Sequence, residues 1–168
     1  MRVRQAERPD RRFLVEMARV ACGLDDRPLP TADDQAVLAL LPGPADLAVV
    51  ASDDREHRLG AAWWHFHEPP LVVDEQGQPL PELTMAVHED ARGCGTGSRL
   101  LEELAAEAAE RFAALALNVH LRNPALRLYL RSGFTVRQRA WPLRSSDGPV
   151  ASAGAIASPS KGPTPMGA

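Results

Sequence analysis

The sequence predicts a single α/β domain, and three observations carry that expectation. A β-prone run, Leu83–Val87, is followed by a glycine-rich turn, Arg92-Gly93-Cys94-Gly95-Thr96-Gly97, and then by a long amphipathic stretch. A second β-prone run, Leu115–Leu121, closes a strand-helix-strand unit, for which parallel pairing through a right-handed crossover is the default. On both sides of this unit, short strand patterns alternate with helix patterns, as in a layered α/β fold. A chain of 168 residues with 45% apolar content has enough material for one core.

The elements follow in order. Val3–Ala6 reads as a first strand. Pro9-Asp10 opens a helix whose apolar residues Phe13, Leu14, Met17, Ala18 and Ala21 share one face, and Gly23 stops it. Thr31 is placed to cap a second helix, with Asp33 and Asp34 in its first turn and Pro42-Gly43-Pro44 after it. Leu47–Ala51 and Leu59–Phe66 form a hairpin across a turn at 52–56. The stretch 69–81 is a proline-broken loop, and Glu82–Val87 is the next strand. A helix from about Gly97 to Phe112 repeats its apolar residues at three and four. In Leu115–Leu121 the apolar residues alternate with Asn118 and His120. Asn123-Pro124 reads as a cap and first turn of a short helix to about Arg131, Gly133 as its left-handed stop, and Phe134–Trp141 as a last strand.

Residues 145–168 differ in kind: eighteen of these 24 are Gly, Pro, Ser or Ala, and none is aromatic. Such a segment buries too little apolar surface to offset its ordering entropy. The expected organisation is therefore a domain over 1–144 and a low-complexity, disordered tail over 145–168, with a weak strand around 150–157 as the alternative.

Net charge −3 gives nucleic-acid binding no electrostatic support. The two cysteines, Cys22 and Cys94, lack metal-ligand spacing, so no metal is expected and a reducing, cytoplasmic location is the default. No run of about 18 apolar residues is present, so no membrane span is expected.

The glycine turn points to phosphate. Gathered backbone N–H groups at a helix N-terminus attract negative charge, and missing Cβ atoms let it come close. A mononucleotide P-loop needs Lys-Ser or Lys-Thr after its last glycine, but Ser98-Arg99 follows here. A dinucleotide fingerprint needs G-x-G-x-x-G, but Gly93, Gly95 and Gly97 are spaced G-x-G-x-G.

Arg92-x-x-Gly95-x-Gly97 resembles the acyl-CoA pyrophosphate loop of the GNAT superfamily of N-acetyltransferases. Asn123-Pro124-Ala125, Leu128-Tyr129 and Gly133-Phe134 resemble that family's second signature, and the element order over residues 2–144 is similar. The resemblance implies a mixed, mostly antiparallel sheet with a central parallel, splayed strand pair, flanked by about four helices. It implies acetyl-CoA as cosubstrate and a primary amine of a small molecule or protein as acceptor, with a homodimer as a common family arrangement. The family also has a seventh strand beside the fifth, where this chain turns into the small-residue tail.

The same resemblance implies that the backbone of Met85, Ala86 and Val87 pairs with the pantetheine arm. An N–H near Val87 would then polarise the thioester carbonyl. Arg92, Gly93, Cys94, Gly95, Thr96, Gly97 and Ser98 would wrap the pyrophosphate, with only the backbone of Cys94 involved, and Asn123 would be both helix cap and CoA contact. Tyr129 is the candidate general acid for the leaving thiolate. Glu82, on one face of its strand with Thr84 and Ala86, is the candidate base, against the plain reading of an exposed strand-start glutamate; His88 is a second candidate base. His65 and His67 read as structural. One of Trp63 and Trp64 is core, and the other is free to touch the acceptor. Asp25, Asp26, Asp33, Asp34, Asp74 and Glu75 would make the acceptor groove acidic. The competing reading from another class is a non-catalytic acyl-CoA-binding domain.

Overall fold

The computed structural model describes residues 1–23, 28–70, 72–74, 76–120, 123–138 and 152–157. They form a seven-stranded sheet: β1 (Arg2–Gln5), β2 (Ala48–Ser52), β3 (Arg58–His65), β4 (Glu82–Val87), β5 (Leu115–His120), β6 (Thr135–Gln138) and β7 (Ser152–Ala157). The order is β1-β2-β3-β4-β5-β7-β6. All pairings are antiparallel except β4–β5. Four helices flank the sheet: α1 (Arg11–Cys22), α2 (Gln35–Leu40), α3 (Thr96–Ala109) and α4 (Leu126–Arg131).

Strand alternation divides the apolar residues between two cores. On one face, α3 brings Leu100, Leu101 and Leu104 against Val49, Ala62, Trp64, Leu83 and Leu117, and Tyr129 and Phe134 complete this cluster. On the other, α1 brings Phe13, Leu14, Met17 and Ala18, and α2 brings Val37, against Val50, Ala61, Trp63 and Ala86. Both tryptophans are thus core, which corrects the expectation that one of them is free for an acceptor. Trp63 is fully buried, with its indole N–H donating to the Leu40 carbonyl at 2.6 Å. Trp64 is buried edge-on to Phe112, with ring centroids 5.4 Å apart.

The cap of α2 is Asp34, whose side chain accepts from the Ala36 N–H at 2.8 Å. Thr31, expected there, instead accepts the Asp34 N–H on its carbonyl in the preceding turn. Asn123 caps a turn rather than the helix proper: its Oδ1 accepts from the Ala125 N–H at 2.9 Å, and α4 starts three residues later. Gly133 is left-handed at φ 90°, as expected of a helix stop.

β7 lies inside the small-residue stretch, over the segment left open as a weak strand, and pairs with β5 on one side and β6 on the other. A strand of Ser-Ala-Gly-Ala-Ile-Ala between two partners is held by ladder hydrogen bonds on both edges, which ask nothing of side-chain size. Hydrophobic patterning is blind to that contribution. Among the described residues, no helix is long and apolar enough to cross a membrane.

Candidate active site

The parallel pair β4–β5 is matched at one position only, Glu82 with Ala116, where the Ala116 N–H donates to the Pro81 carbonyl at 2.9 Å. Beyond it the described strands part. The His88 N–H donates to Leu59 of β3 at 2.8 Å, so the even-numbered residues of β4 turn their peptide groups toward β3. Those of Leu83, Met85 and Val87 therefore turn toward the opening between β4 and β5. Of the three backbone positions expected to meet a pantetheine arm, Met85 and Val87 face the opening, while Ala86 lies on the ladder opposite Ala61.

The glycine turn stands at the end of β4. Gly93 and Gly95 are left-handed, at φ 73° and 84°, with open space where a Cβ would stand on either. Gly95 is the N-cap of α3, and the first intrahelical bond runs from the Arg99 N–H to its carbonyl at 3.1 Å. The N–H groups of Thr96, Gly97 and Ser98 thus have no partner within the helix. Gly97 serves a different need: a Cβ there would stand 3.1 Å from Leu128 of α4 and 3.7 Å from Met85. The expectation that Gly97 clears space for a ligand gives way to close packing between α3, α4 and β4. Thr96 is buried, with its hydroxyl turned inward and without a hydrogen-bond partner, so only its backbone is available to a ligand. Arg92 is exposed, and its Nε donates to the Val87 carbonyl at 3.3 Å, tying the turn back to β4. Cys94 is exposed in the turn, and Asn123 is exposed ahead of α4.

Glu82 is buried at the closed end of the opening, which overturns the reading of an exposed strand-start glutamate. Sheet register sets it opposite His65, also buried, with Glu82 Oε2 and His65 Nε2 3.9 Å apart. Neither ring nitrogen of His65 nor Oε2 of Glu82 has a hydrogen-bond partner. Burial pushes the Glu82 carboxyl up to about 7, against the opposing pull of nearby His67 and a backbone hydrogen bond from Asn118 on β5. Burial, with His67, holds His65 below its ordinary value, and Asp46 offsets a little of this. The sequence gives no direct sign of this pair, because it depends on the β3–β4 register.

Tyr129 sits on the opposite face of the sheet from Glu82, in the α3-side core, its ring 5.7 Å from that of Phe134. Burial pushes its hydroxyl up to about 12, so it keeps its proton at any ordinary pH. His88, the second candidate base, lies on the α1 side: its ring is tilted against Phe13 with centroids 5.5 Å apart, its Nε2 is 3.8 Å from Glu16 of α1, and it lines the groove beside Val87.

An open groove of about 780 Å³ reaches Val87 from the α1 side. Arg11, Arg12, Arg19 and Arg92 line it, with Glu16 and Glu89 as its acids. This lining differs from the acidic groove expected, and it suits an anion better than a bare cation. The acids expected there serve their own turns. Asp34 caps α2, Asp33 bonds Thr31, and Asp74 accepts from the N–H groups of Gln76 and Gln78. Asp25, Asp26 and Glu75 lie outside the described residues.

A parallel strand pair that opens in front of a helix N-terminus with free N–H groups is shaped for an extended ligand that carries an anion, and comparison with known proteins names the class. Residues 44–136, more than half of the chain, match the family described as Acetyltransferase (GNAT) domain, so the chain belongs to the GNAT acetyltransferase family. Among solved structures, yncA of Salmonella typhimurium, solved with its cofactor acetyl-CoA, superposes with a TM-score of 0.70 at 17% identity, over 99% of this chain and 98% of that one. A ribosomal-protein-alanine N-acetyltransferase from Brucella melitensis gives 0.63 at 20%, over 93% and 97%. A GCN5-related N-acetyltransferase from Kribbella flavida gives 0.64 at 22%, over 92% and 95%. These likenesses establish the shared fold. No curated protein matches in sequence.

Proposed function

We propose that this protein is an acetyl-CoA-dependent N-acetyltransferase that passes acetyl directly to a primary amine of a small molecule or protein. The observation that carries the reading is the parting of β4 from β5 in front of a turn with two open, left-handed glycines. Free N–H groups at the start of a fourteen-residue helix fit a pyrophosphate, and the peptide groups of Met85 and Val87 fit an extended amide-bearing arm. Acetyl-CoA supplies the activated acyl group as its thioester.

The chain's own groups have separable tasks. The N–H of Val87, which faces the opening, stabilises negative charge on the acyl oxygen, a fixed donor that contributes a few kcal/mol, on the order of 3. Glu82, with a carboxyl near 7, is matched to taking a proton from the incoming ammonium at neutral pH. Tyr129 keeps its proton and donates to the departing sulfur from the opposite face of the sheet. Cys94 lies in the turn and Cys22 on α1, away from the closed end of the opening, in keeping with direct transfer.

A non-catalytic acyl-CoA-binding domain would share the turn but has no use for a buried carboxyl with one oxygen left unpartnered. The test is calorimetric titration with coenzyme A, followed by measurement of thiol release from acetyl-CoA across a panel of primary amines. The expected result is binding, turnover with at least one amine, and loss of turnover on the order of 10²-fold in Tyr129→Phe with coenzyme A affinity unchanged. Tight binding with no amine consumed would assign the chain to the non-catalytic class.

A further inference from the structure

We propose that His65 is a positioning residue that relays the proton from Glu82, through His67, to solvent. The inference rests on Glu82 being the base, and it deepens that reading of the same site.

Three buried polar atoms, both nitrogens of His65 and Oε2 of Glu82, have no hydrogen-bond partner. Buried polar atoms of this kind are rare because each costs about 1–3 kcal/mol. Here they face one another across adjacent strands, held by the register His65–Glu82. Their separation, 3.9 Å, is too long for a hydrogen bond and short enough for one bridging water. A base sealed at the closed end of an opening filled by its substrate must return its proton by another route. The next imidazole lies on that route. The ring of His67 stands 6.5 Å from that of His65, half-buried at the end of the strand, with its Nδ1 3.0 Å from the Pro69 carbonyl.

That contact has His67 Nδ1–H donating to the carbonyl and leaves Nε2 to accept. The proton leaves the amine for Glu82 Oε2, enters His65 at Nε2, and an equal proton leaves from Nδ1 toward His67 and then solvent. Solvent exchange afterwards returns His65 to its starting tautomer, so no net charge remains in the core. The groups that set the proton affinities along this line are His67 beside both residues, Asn118 on β5 against Glu82, and Asp46 ahead of β2 against His65. Burial raises the acid to about 7 and lowers the imidazole, so both groups are neutral at rest, the acid holding its proton and the imidazole free to take one and pass one on.

The test compares wild type with His65→Gln, which keeps polarity and bulk but cannot carry a proton through the ring, and with His67→Gln. Each is assayed with acetyl-CoA and an amine that the wild type accepts. For His65→Gln, kcat falls about tenfold to 10²-fold, KM for acetyl-CoA holds, and the solvent isotope effect on kcat rises as proton release becomes limiting. Added imidazole restores part of the rate in His65→Ala. Wild-type kcat and isotope effect in His65→Gln would overturn the relay. If Glu82→Gln is then inactive, the base assignment stands and only the relay fails; if Glu82→Gln is also active, the base assignment fails with it. Should the His65 variants not fold, imidazole nitrogen NMR of wild type and Glu82→Gln decides. A coupled pair moves the His65 titration midpoint by about one pH unit when the carboxyl is removed, and an unmoved midpoint overturns the proposal.

Discussion

Asp10 and Glu82 are the two buried carboxylates among the described residues, and their surroundings are opposite. Asp10 accepts from Arg4 at 2.7 and 3.2 Å, from Arg58 at 2.7 Å and from the Glu7 N–H at 2.9 Å. Burial alone would raise its pKa, but the Arg4, Glu7 and Arg58 bonds outweigh that and hold it well below the usual carboxylate range. Glu82 has a similar depth, one oxygen without a partner, and a carboxyl pushed up to about 7. The first carboxylate clamps β1, the turn before α1 and β3 together. The second is held ready for a proton. Burial makes a carboxylate structural when its lone pairs are filled and chemical when they are left open.

The largest effect that tests this contrast is on turnover. Glu82→Gln is expected to lose on the order of 10²-fold or more in kcat, with coenzyme A affinity unchanged in calorimetry. Asp10→Ala is expected to keep its kcat per folded molecule. An active Glu82→Gln would end the distinction between the two sites.

Next in size is the pH dependence of stability. Glu82 holds its proton more tightly folded than unfolded, so its contribution is full below about 4.5 and is lost as pH rises through about 7. Urea titrations at pH 4 and pH 8 should find wild type losing up to about 3 kcal/mol relative to Glu82→Gln. Asp10 has the opposite sign: its contribution is present above its unfolded value near 3.8 and is lost only in acid below it. The stability difference between wild type and Asp10→Ala should therefore shrink only at the acid end. At pH 7, Asp10→Ala should cost about 2 kcal/mol in urea unfolding, less than for a sealed ion pair because both guanidiniums reach solvent.

The smallest effect separates binding from chemistry. Gly95→Ala touches neither carboxylate, but its φ of 84° makes any side chain costly by about 1 kcal/mol. Calorimetry should give weaker coenzyme A binding, and kcat at saturation should hold.

The bounds of β4 and the composition of the glycine turn were legible in sequence, because alternation and backbone geometry are local properties. The reasons for individual glycines were only half legible. Gly93 and Gly95 serve backbone conformation, but Gly97 answers to Leu128 and Met85, which come from elements distant in sequence. Glu82 could be named from its place on β4, yet its burial could not, since the partners that seal it, His65 on β3 and Asn118 on β5, arrive by sheet register. The pattern also undersold β7, because its pairing with β5 and β6 draws on backbone groups that every residue carries.

The most direct measurement is a carboxyl carbon NMR titration of the whole protein between pH 3 and 9, with Glu82→Gln as the assignment control. One glutamate carboxyl titrating near 7, and missing from Glu82→Gln, is the expected result. If every glutamate titrates in the ordinary range near 4.5, the carboxylate at the closed end of the β4–β5 opening is not held ready for a proton, and the account of the active site fails.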